Sequence, residues 1–240
     1  LRFCPEYRQA RERIAAGEVP YEEAAALLYF LHKLEGKQAF GQIRYVLVDE
    51  VQDYSPMQIA LIKHLFPRSR MTFLGDLNQS VFGDTGLTDY RTFTDCFGPE
   101  DVGLIRLTKS YRSTQDILDF CRRILPEGAE HGEAFGRRGE KPALHRCAAQ
   151  DEMQAAIAAR IARLQQEGMS SIAVICRTER DAREAHERLK ERIALRLITR
   201  ESHQLDVSLP VVIPSYMAKG LEFDAVIVYD GSAATYGGRD

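Results

Sequence analysis

The segment Tyr45–Asp53 constrains most strongly what this chain can fold into. Its first four residues, Tyr45–Val48, form an apolar run that is typical of a strand buried on both faces of a parallel sheet. Three carboxylates and a glutamine follow directly. Because ligands of open α/β sheets bind at the carboxyl ends of strands, these acids are placed to hold Mg²⁺ and to orient a water. The alternative is a solvated acidic turn before a helix that Ser55 and Pro56 begin.

A second strand is predicted at Met71–Leu74, after a helix over Pro56–Phe66. Strand, helix and strand within about 30 residues form a βαβ unit, so both strands end at the same edge of the sheet. The second strand leads into Gly75–Ser80, where Gln79 can donate to a phosphate and accept from a water. The alternative for Gln79 is an ordinary loop amide.

A third strand is predicted at Leu104–Leu107, and a helix follows it. Ser113 and Asp116 have the spacing of a capping box for that helix. Arg112 therefore precedes a helix N-terminus, which is unfavourable for a cation unless an anion also binds there. This position favours an anion contact for Arg112, and the alternative is a surface pair with a carboxylate.

Beyond residue 142 strands and helices alternate again, which predicts a second parallel α/β unit. The predicted strands are Ala143–Cys147, Ile172–Cys176, Leu195–Thr199, Val211–Ile213 and Ala225–Tyr229, with helices over Glu152–Gln166 and Arg180–Glu191. The residues predicted to face inward are Met153, Ile157, Ile161 and Leu164 in the first helix and Ala182, Ala185 and Leu189 in the second. The segment Pro214–Asp224 lies at the carboxyl end of one of these strands. Lys219 beside Gly220 can meet a phosphate there, and the alternative is an exposed turn lysine.

Composition limits the class of partner. The chain is 45% apolar and 28% charged, which is typical of globular proteins. Its net charge of −3 excludes a global basic field, so any nucleic-acid contact must come from a local patch. No apolar run approaches the ~20 residues that span a bilayer, and no signal peptide is present, so we expect a cytoplasmic protein without a membrane partner. The cysteines are widely separated, and His131, His145 and Cys147 lack zinc spacing.

Taken in this order, the segments resemble the motor core of superfamily 1 helicases of the Rep/UvrD type. Tyr45–Asp53 resembles motif II, Gly75–Phe82 motif III, Tyr111–Thr114 motif IV and Pro214–Asp224 motif V. The wording of motif V and of the turn at Gly75 is similar to that of the HelD-like ATPases, some of which engage RNA polymerase.

The resemblance implies an α/β fold of two RecA-like (P-loop NTPase-type) parallel-sheet lobes, the first only partly present. Residues 1–107 would be the C-terminal part of the first lobe, with motifs II and III. Residues 108–240 would be the second lobe, with motifs IV and V.

The resemblance also implies roles around ATP and Mg²⁺ for a set of residues. They are metal binding by Asp49; catalysis by Glu50 (base), Gln79 (γ-phosphate sensor) and Arg112 (arginine finger); and nucleotide binding by Tyr111 (adenine), Lys219 and Gly220 (γ-phosphate) and Glu222 (ribose).

The sequence also departs from the family pattern. It contains no G-x-x-x-x-G-K-[ST] phosphate loop and no motif VI after motif V. Tyr216 stands where motif V usually has His, and Pro214 where it usually has Thr. Motif III of the family usually continues into an aromatic-rich segment that stacks on DNA, and here only Phe82 is available for that role. We therefore expect a fragment of an ATP-dependent DNA helicase or translocase that alone hydrolyses no ATP and binds single-stranded DNA weakly. The alternative is a non-catalytic interaction module, or a HelD-like factor that acts on RNA polymerase.

Overall fold

The chain divides into two compact units. The computed structural model describes residues 12–19, 21–36, 40–80, 86–125, 132–202 and 208–237. The first unit comprises residues 1–110 and 121–133, and the second comprises residues 111–120 and 134–240.

The first unit is built on a parallel pair of strands. Its elements are α1 (Tyr21–Glu35), β1 (Tyr45–Val48), α2 (Pro56–Leu65), β2 (Arg70–Phe73) and α3 (Arg91–Phe97). β1 and β2 run parallel, with Tyr45 opposite Arg70 and Val48 opposite Phe73. The predicted βαβ unit is therefore confirmed. α2 begins with a complete capping box, in which the Ser55 hydroxyl accepts from the Gln58 N–H and the Gln58 side chain accepts from the Ser55 N–H.

The core of the first unit lies against one face of β1. A buried cluster contains Val48 and four residues that follow in the chain: Val51, Ile59, Leu87 and Phe93. Tyr45 and Leu47 are exposed, so the prediction that β1 is buried on both faces is wrong for the described structure. The reason is that alternate residues of a strand point to opposite faces, and the described core covers only the face of Val48.

The predicted strand at Leu104–Leu107 is also wrong. These residues have no assigned secondary structure, and the side chains of Ile105 and Leu107 are 85% and 87% exposed. An apolar run becomes a strand only where a neighbour pairs with it, and the described residues supply none here. The strand in this region is β3 (Lys109–Ser110), which pairs with β4 (Glu133–Ala134); α4 (Gln115–Arg122) lies between them in the chain.

The second unit is built on a four-stranded sheet. Its elements are α5 (Gln150–Gln166), β5 (Ile172–Cys176), α6 (Glu179–Leu189), β6 (Arg196–Leu197), β7 (Val211–Pro214), α7 (Ser215–Ala218), β8 (Ala225–Val228) and α8 (Ala233–Tyr236). The strand order is β6-β7-β5-β8, and every pair is parallel. The predicted α/β fold class with parallel sheets, as in RecA-like lobes, is thereby confirmed. Ala143–Cys147 forms no strand in the described structure.

Both faces of this sheet are covered. Most of the predicted inward residues of α5 and α6 are buried against one face of β5 and β7; they are Ile157, Ile161, Leu164, Ala182, Ala185 and Leu189. Met153, also predicted inward, packs against this cluster and is partly buried. A separate cluster on the alternate positions contains Ala173, Ile198, Val211 and Ile213. β5 is consequently almost fully buried, as expected of a central strand in a parallel sheet. None of the described helices is long and apolar enough to cross a membrane.

Candidate functional site

The acidic residues after β1 lie in a sharp backbone turn at the edge of the first sheet. Glu50 has φ 52° and ψ 40°, a left-handed conformation that is uncommon for a residue other than glycine. Its N–H donates to Oδ1 of Asp49 at 2.8 Å, and the next N–H, from Val51, donates to the Leu74 carbonyl at 2.9 Å. Such a conformation costs about 1–3 kcal/mol and persists only where surrounding contacts enforce it.

Gln52 supplies part of those contacts, and sequence analysis gave it no role. Its side chain is 0% exposed. Its Nε2 donates to Oε2 of Glu50 at 2.7 Å, and its Oε1 accepts from the N–H of Asp76 at 3.1 Å. Gly75 makes room for it, because a Cβ at Gly75 would lie 2.4 Å from Oε1 of Gln52. The feature of the sequence that could have indicated this contact is Gly75, a residue without a side chain that closely follows β2.

Gln79 lies in the loop that follows β2, in a one-turn 3₁₀ helix over Leu77–Gln79. Asp76 caps this turn: its Oδ1 accepts from the N–H of Asn78 at 3.0 Å, and its Oδ2 accepts from Nε2 of Gln79 at 2.9 Å. The structure thus links the two predicted strand ends through Glu50, Gln52, Asp76 and Gln79. The predicted DNA-stacking residue Phe82 lies outside the described residues.

The donor set after β1 fits a magnesium ion that also binds phosphate. Mg²⁺ prefers oxygen ligands and is commonly held by one or two carboxylates together with phosphate oxygens. Asp49 and Glu50 supply adjacent carboxylates, and Asp49 uses Oδ1 to accept from the Glu50 N–H. Across the described part of the chain no three His, Cys, Asp or Glu side chains group as a metal site.

In the second unit two predicted site residues contact each other. Nε of Arg112 donates to Oε1 of Glu222 at 2.7 Å. Both side chains are exposed, Arg112 by 55% and Glu222 by 66%. An exposed ion pair of this kind contributes only about 0–1 kcal/mol to stability. Arg112 can therefore exchange Glu222 for another anion at little cost.

The backbone and ring before Arg112 are held by a loop that follows β4. The ring of Tyr111 packs on Phe135, with 4.9 Å between centroids and 40° between planes. Nη1 of Arg137 donates to the carbonyls of Tyr111 and Arg112, at 3.2 and 3.4 Å. Sequence analysis missed both Phe135 and Arg137, which stand in a charged, glycine-containing segment. Phe135, the aromatic residue of that segment, could have indicated a packing contact from the sequence.

The helix after Arg112 begins one residue later than predicted. Oγ1 of Thr114 accepts from the N–H of Ile117 at 3.4 Å, which makes Thr114 the cap of α4. The predicted capping box of Ser113 and Asp116 is wrong. Oδ2 of Asp116 instead accepts from the N–H of Gly139 at 3.3 Å, because the loop at Gly139 packs directly on Thr114.

The third predicted segment of the site follows β7. Lys219 ends α7, and Gly220 has φ 79°, a left-handed conformation that favours glycine. Tyr216 stands at the motif V position where His is usual, and its hydroxyl donates to Oε2 of Glu179 at 2.9 Å. The Arg200 guanidinium lies over the Tyr216 ring, 4.9 Å from its centre. The side-chain hydrogen bond from Arg183, followed by the one from Tyr216, lowers the pKa of Glu179.

Two family models match the chain. Residues 26–86 match the UvrD/REP helicase N-terminal domain, and residues 105–203 match the UvrD-like helicase C-terminal domain. This chain belongs to the UvrD/Rep helicase family. The first match contains Asp49, Glu50 and Gln79, and the second contains Tyr111 and Arg112. The remaining site residues lie beyond both matches.

The chain is similar to several named members of the UvrD/Rep family. It is 29% identical over 146 residues to the ATP-dependent DNA helicase UvrD2 of Mycobacterium tuberculosis. This alignment covers 56% of this chain and 21% of that protein. It is 30% identical over 135 residues to a probable DNA helicase II homolog of Mycoplasma capricolum, which covers 52% of this chain and 18% of that protein. The chain therefore matches only about a fifth of the length of these relatives.

A solved structure is also similar. The C-terminal domain of a possible DNA helicase from Lactobacillus plantarum WCFS1 matches with 29% identity and a TM-score of 0.45, covering 54% of this chain and 73% of that one. The suggested likeness to the HelD-like group, and the individual roles of the site residues, stay predictions within the UvrD/Rep family.

Proposed function

We propose that this chain is part of an ATP-driven motor that moves along DNA or remodels a DNA complex. One observation carries the proposal: the ends of the parallel strands β1 and β2 bring the segments with Asp49, Glu50 and Gln79 to one edge and join them by hydrogen bonds. Two carboxylates and an amide suit phosphoryl transfer, in which the protein mainly positions water and phosphate and stabilises developing charge. The names of the relatives, ATP-dependent DNA helicases, support ATP and DNA as ligands.

In this proposal the first unit prepares the attacking water. Asp49 would hold Mg²⁺, which supplies charge neutralisation at the β- and γ-phosphates when bound. The Glu50 carboxylate accepts a proton from the attacking water, for which it must lie within hydrogen-bond reach. The Gln79 amide donates to the γ-phosphate, after it gives up its bond to Asp76.

The second unit supplies nucleotide contacts and positive charge. Tyr111 stacks on the adenine with the face that Phe135 leaves open, and Lys219 and Gly220 approach the γ-phosphate. Arg112 leaves Glu222 and acts on charge that develops in the transition state. Glu222 is then able to accept from the ribose hydroxyls. A single exchange thus gives both members of the pair their proposed roles.

The experiment measures ATP turnover of the full-length protein that contains this chain, with and without single-stranded DNA. Glu50→Gln removes the base and keeps the shape, so kcat is expected to fall at least about 100-fold while ATP binding persists. Glu100→Gln is the matched control, since it neutralises an exposed carboxylate elsewhere in the first unit. Turnover that DNA does not stimulate contradicts the motor, and unchanged turnover in Glu50→Gln contradicts the site.

A further inference from the structure

We infer that Gln52 is the positioning residue of this site: it fixes the carboxylate of Glu50 and couples it to the turn that carries Gln79. The inference rests on the proposed function, which gives Glu50 and Gln79 their parts in the reaction. Gln52 itself is buried and touches no substrate, so it acts only through these two residues.

The hydrogen bonds of Gln52 dictate the orientation of its amide. The backbone N–H of Asp76 can only donate, so the group that faces it must be the Oε1 acceptor. The amide nitrogen then necessarily faces Glu50, where Nε2 donates to Oε2 at 2.7 Å. A carboxylate at position 52 cannot satisfy both neighbours, because it has no donor for Glu50. Glutamine is therefore required chemically, and its apolar isosteres fill the space without making either bond.

The surroundings hold Gln52 in place. Gln52 and Thr199 are the buried polar side chains among the described residues, and a buried amide keeps its partners because an unsatisfied polar group is unfavourable. The carbonyl of Gln52 also accepts from the N–H of Leu87 at 3.0 Å. Gly75 closes the other side, since a Cβ there would lie 2.4 Å from Oε1 of Gln52 and 2.9 Å from Cγ1 of Val51.

Glu50 needs such a fixed partner. Its side chain is only partly buried, and its backbone is in a left-handed conformation that local contacts must maintain. A general base that is displaced by about 1 Å from its productive position loses much of its effect on the rate. The chain of bonds continues from Gln52 to the Asp76 backbone, and the Asp76 carboxylate holds Gln79. One buried amide thus ties the predicted base to the backbone of the turn that carries the predicted phosphate sensor.

The kinetic test uses Gln52→Met and Gln52→Glu in the full-length protein. Gln52→Met keeps length and volume but removes the donor, and we expect kcat to fall about 10- to 100-fold with KM for ATP within about twofold. Gln52→Glu is expected to lower kcat further, because it opposes two carboxylates. Gly75→Ala should likewise lower kcat and leave KM for ATP nearly unchanged. Combining it with Gln52→Met should lower kcat little further, because both substitutions disturb the same contact.

The control separates positioning from loss of stability. Ile59→Val removes a methyl group from the buried cluster that contains Val51 and keeps the hydrogen-bonding groups of Glu50 and Gln52, so it should lower the melting temperature and leave kcat unchanged. If Ile59→Val lowers kcat as much as Gln52→Met does, or if KM rises in proportion to the loss of kcat, Gln52 is only a core residue and the inference fails.

A second measurement does not depend on turnover. In this 240-residue chain, the side-chain amide protons of Gln52 should exchange with water at least about tenfold more slowly than those of the exposed Gln42, and Glu50→Ala should accelerate them. Exchange as fast as that of Gln42 overturns the inference whatever the enzyme activity. Slow exchange that responds to Glu50→Ala supports the positioning contact, even if the full-length protein hydrolyses no ATP and the proposed function falls.

Discussion

Asp224 ties the start of β8 to the start of β5. Its Oδ2 accepts from the N–H and the hydroxyl of Ser170 and from the N–H of Ser171, and its own N–H donates to the Ser171 hydroxyl, each at 2.9 Å. These donors, the Ser171 N–H foremost, lower the pKa of Asp224 to about 2. The residue lies at the end of motif V, yet its contacts are those of a structural clamp.

Asp224→Asn should therefore destabilise the chain in a pH-dependent way. Because the pKa of Asp224 is lower in the folded chain than in the unfolded chain, its contribution is present above about pH 4 and is lost as pH falls through about 2. The melting temperature of the variant should lie below that of the wild type at about pH 7, and the difference should shrink as pH falls from about 4 and be smallest below about 2. Circular dichroism melts over this range measure it, with Asp101→Asn as the control. A difference that stays constant with pH would contradict the assignment.

Arg112→Ala in the full-length protein should lower turnover far more than nucleotide affinity. An arginine that acts on transition-state charge is worth about 10³-fold or more in rate, whereas ground-state binding is spread over many contacts. Steady-state kinetics and nucleotide titration measure the two quantities. Arg180→Ala is the matched control, because it breaks an exposed pair with Glu184 of 3.1 Å in the same unit. Loss of affinity in step with rate would make Arg112 a ground-state clamp.

At the scale of elements, the sequence correctly predicts those helices and strands whose bounds and buried faces follow from the local spacing of apolar residues. β5 matches its predicted bounds, and the predicted inward residues of α5 and α6 all pack in the core, because the spacing of apolar residues in a helix indicates which face is covered. The short apolar runs at Leu104–Leu107 and Ala143–Cys147 are not strands, since a strand also needs a partner that no local pattern specifies. The cap of α4 was misplaced for a similar reason, because Gly139 comes from a distant loop.

The candidate site shows the same division. The strand ends with Asp49, Glu50 and Gln79 are readable, because acids and amides directly after apolar runs mark the edge of a sheet. The bonds from Gln52 to Glu50 and to Asp76 are not, because they depend on the close approach of Gly75 to a residue far from it in the chain. A surface pair with a carboxylate was the alternative for Arg112, and the structure shows such a pair, but its partner Glu222 was hidden because the two residues lie in separate motifs.

Two isoleucine substitutions test whether Leu104–Leu107 is an exposed segment or a buried strand. Ile161→Ala, in α5, empties a site that is 0% exposed and should lower the free energy of unfolding by about 2–5 kcal/mol. Ile105→Ala removes the same atoms from a side chain that is 85% exposed and should change it by no more than about 0.5 kcal/mol. Denaturant unfolding followed by circular dichroism compares them. A large effect at Ile105 would restore the predicted strand.

At the scale of the whole chain, the net charge of −3 predicts weak binding to single-stranded DNA. Sequence-independent affinity comes mostly from lysine and arginine that displace counterions, and it falls steeply with salt. Fluorescence anisotropy with a labelled oligonucleotide should give a dissociation constant above about 1 μM at about 0.15 M salt, with tighter binding at low salt. A duplex of equal length is the control for strand preference. Submicromolar affinity at physiological salt would show a local basic surface that the net charge conceals.

β5 occupies the middle of its sheet, although both strands that flank it come later in the chain. A chain that emerges from the ribosome therefore carries an apolar strand with no partner on either side. β7 closes one side first, and the other side stays open until β8 (Ala225–Val228) has been made. The ~50 residues between β5 and β8 take roughly 3–10 s at ordinary rates of synthesis. Because an unpaired apolar edge pairs readily with other chains, the nascent second unit is where we expect a chaperone to be needed.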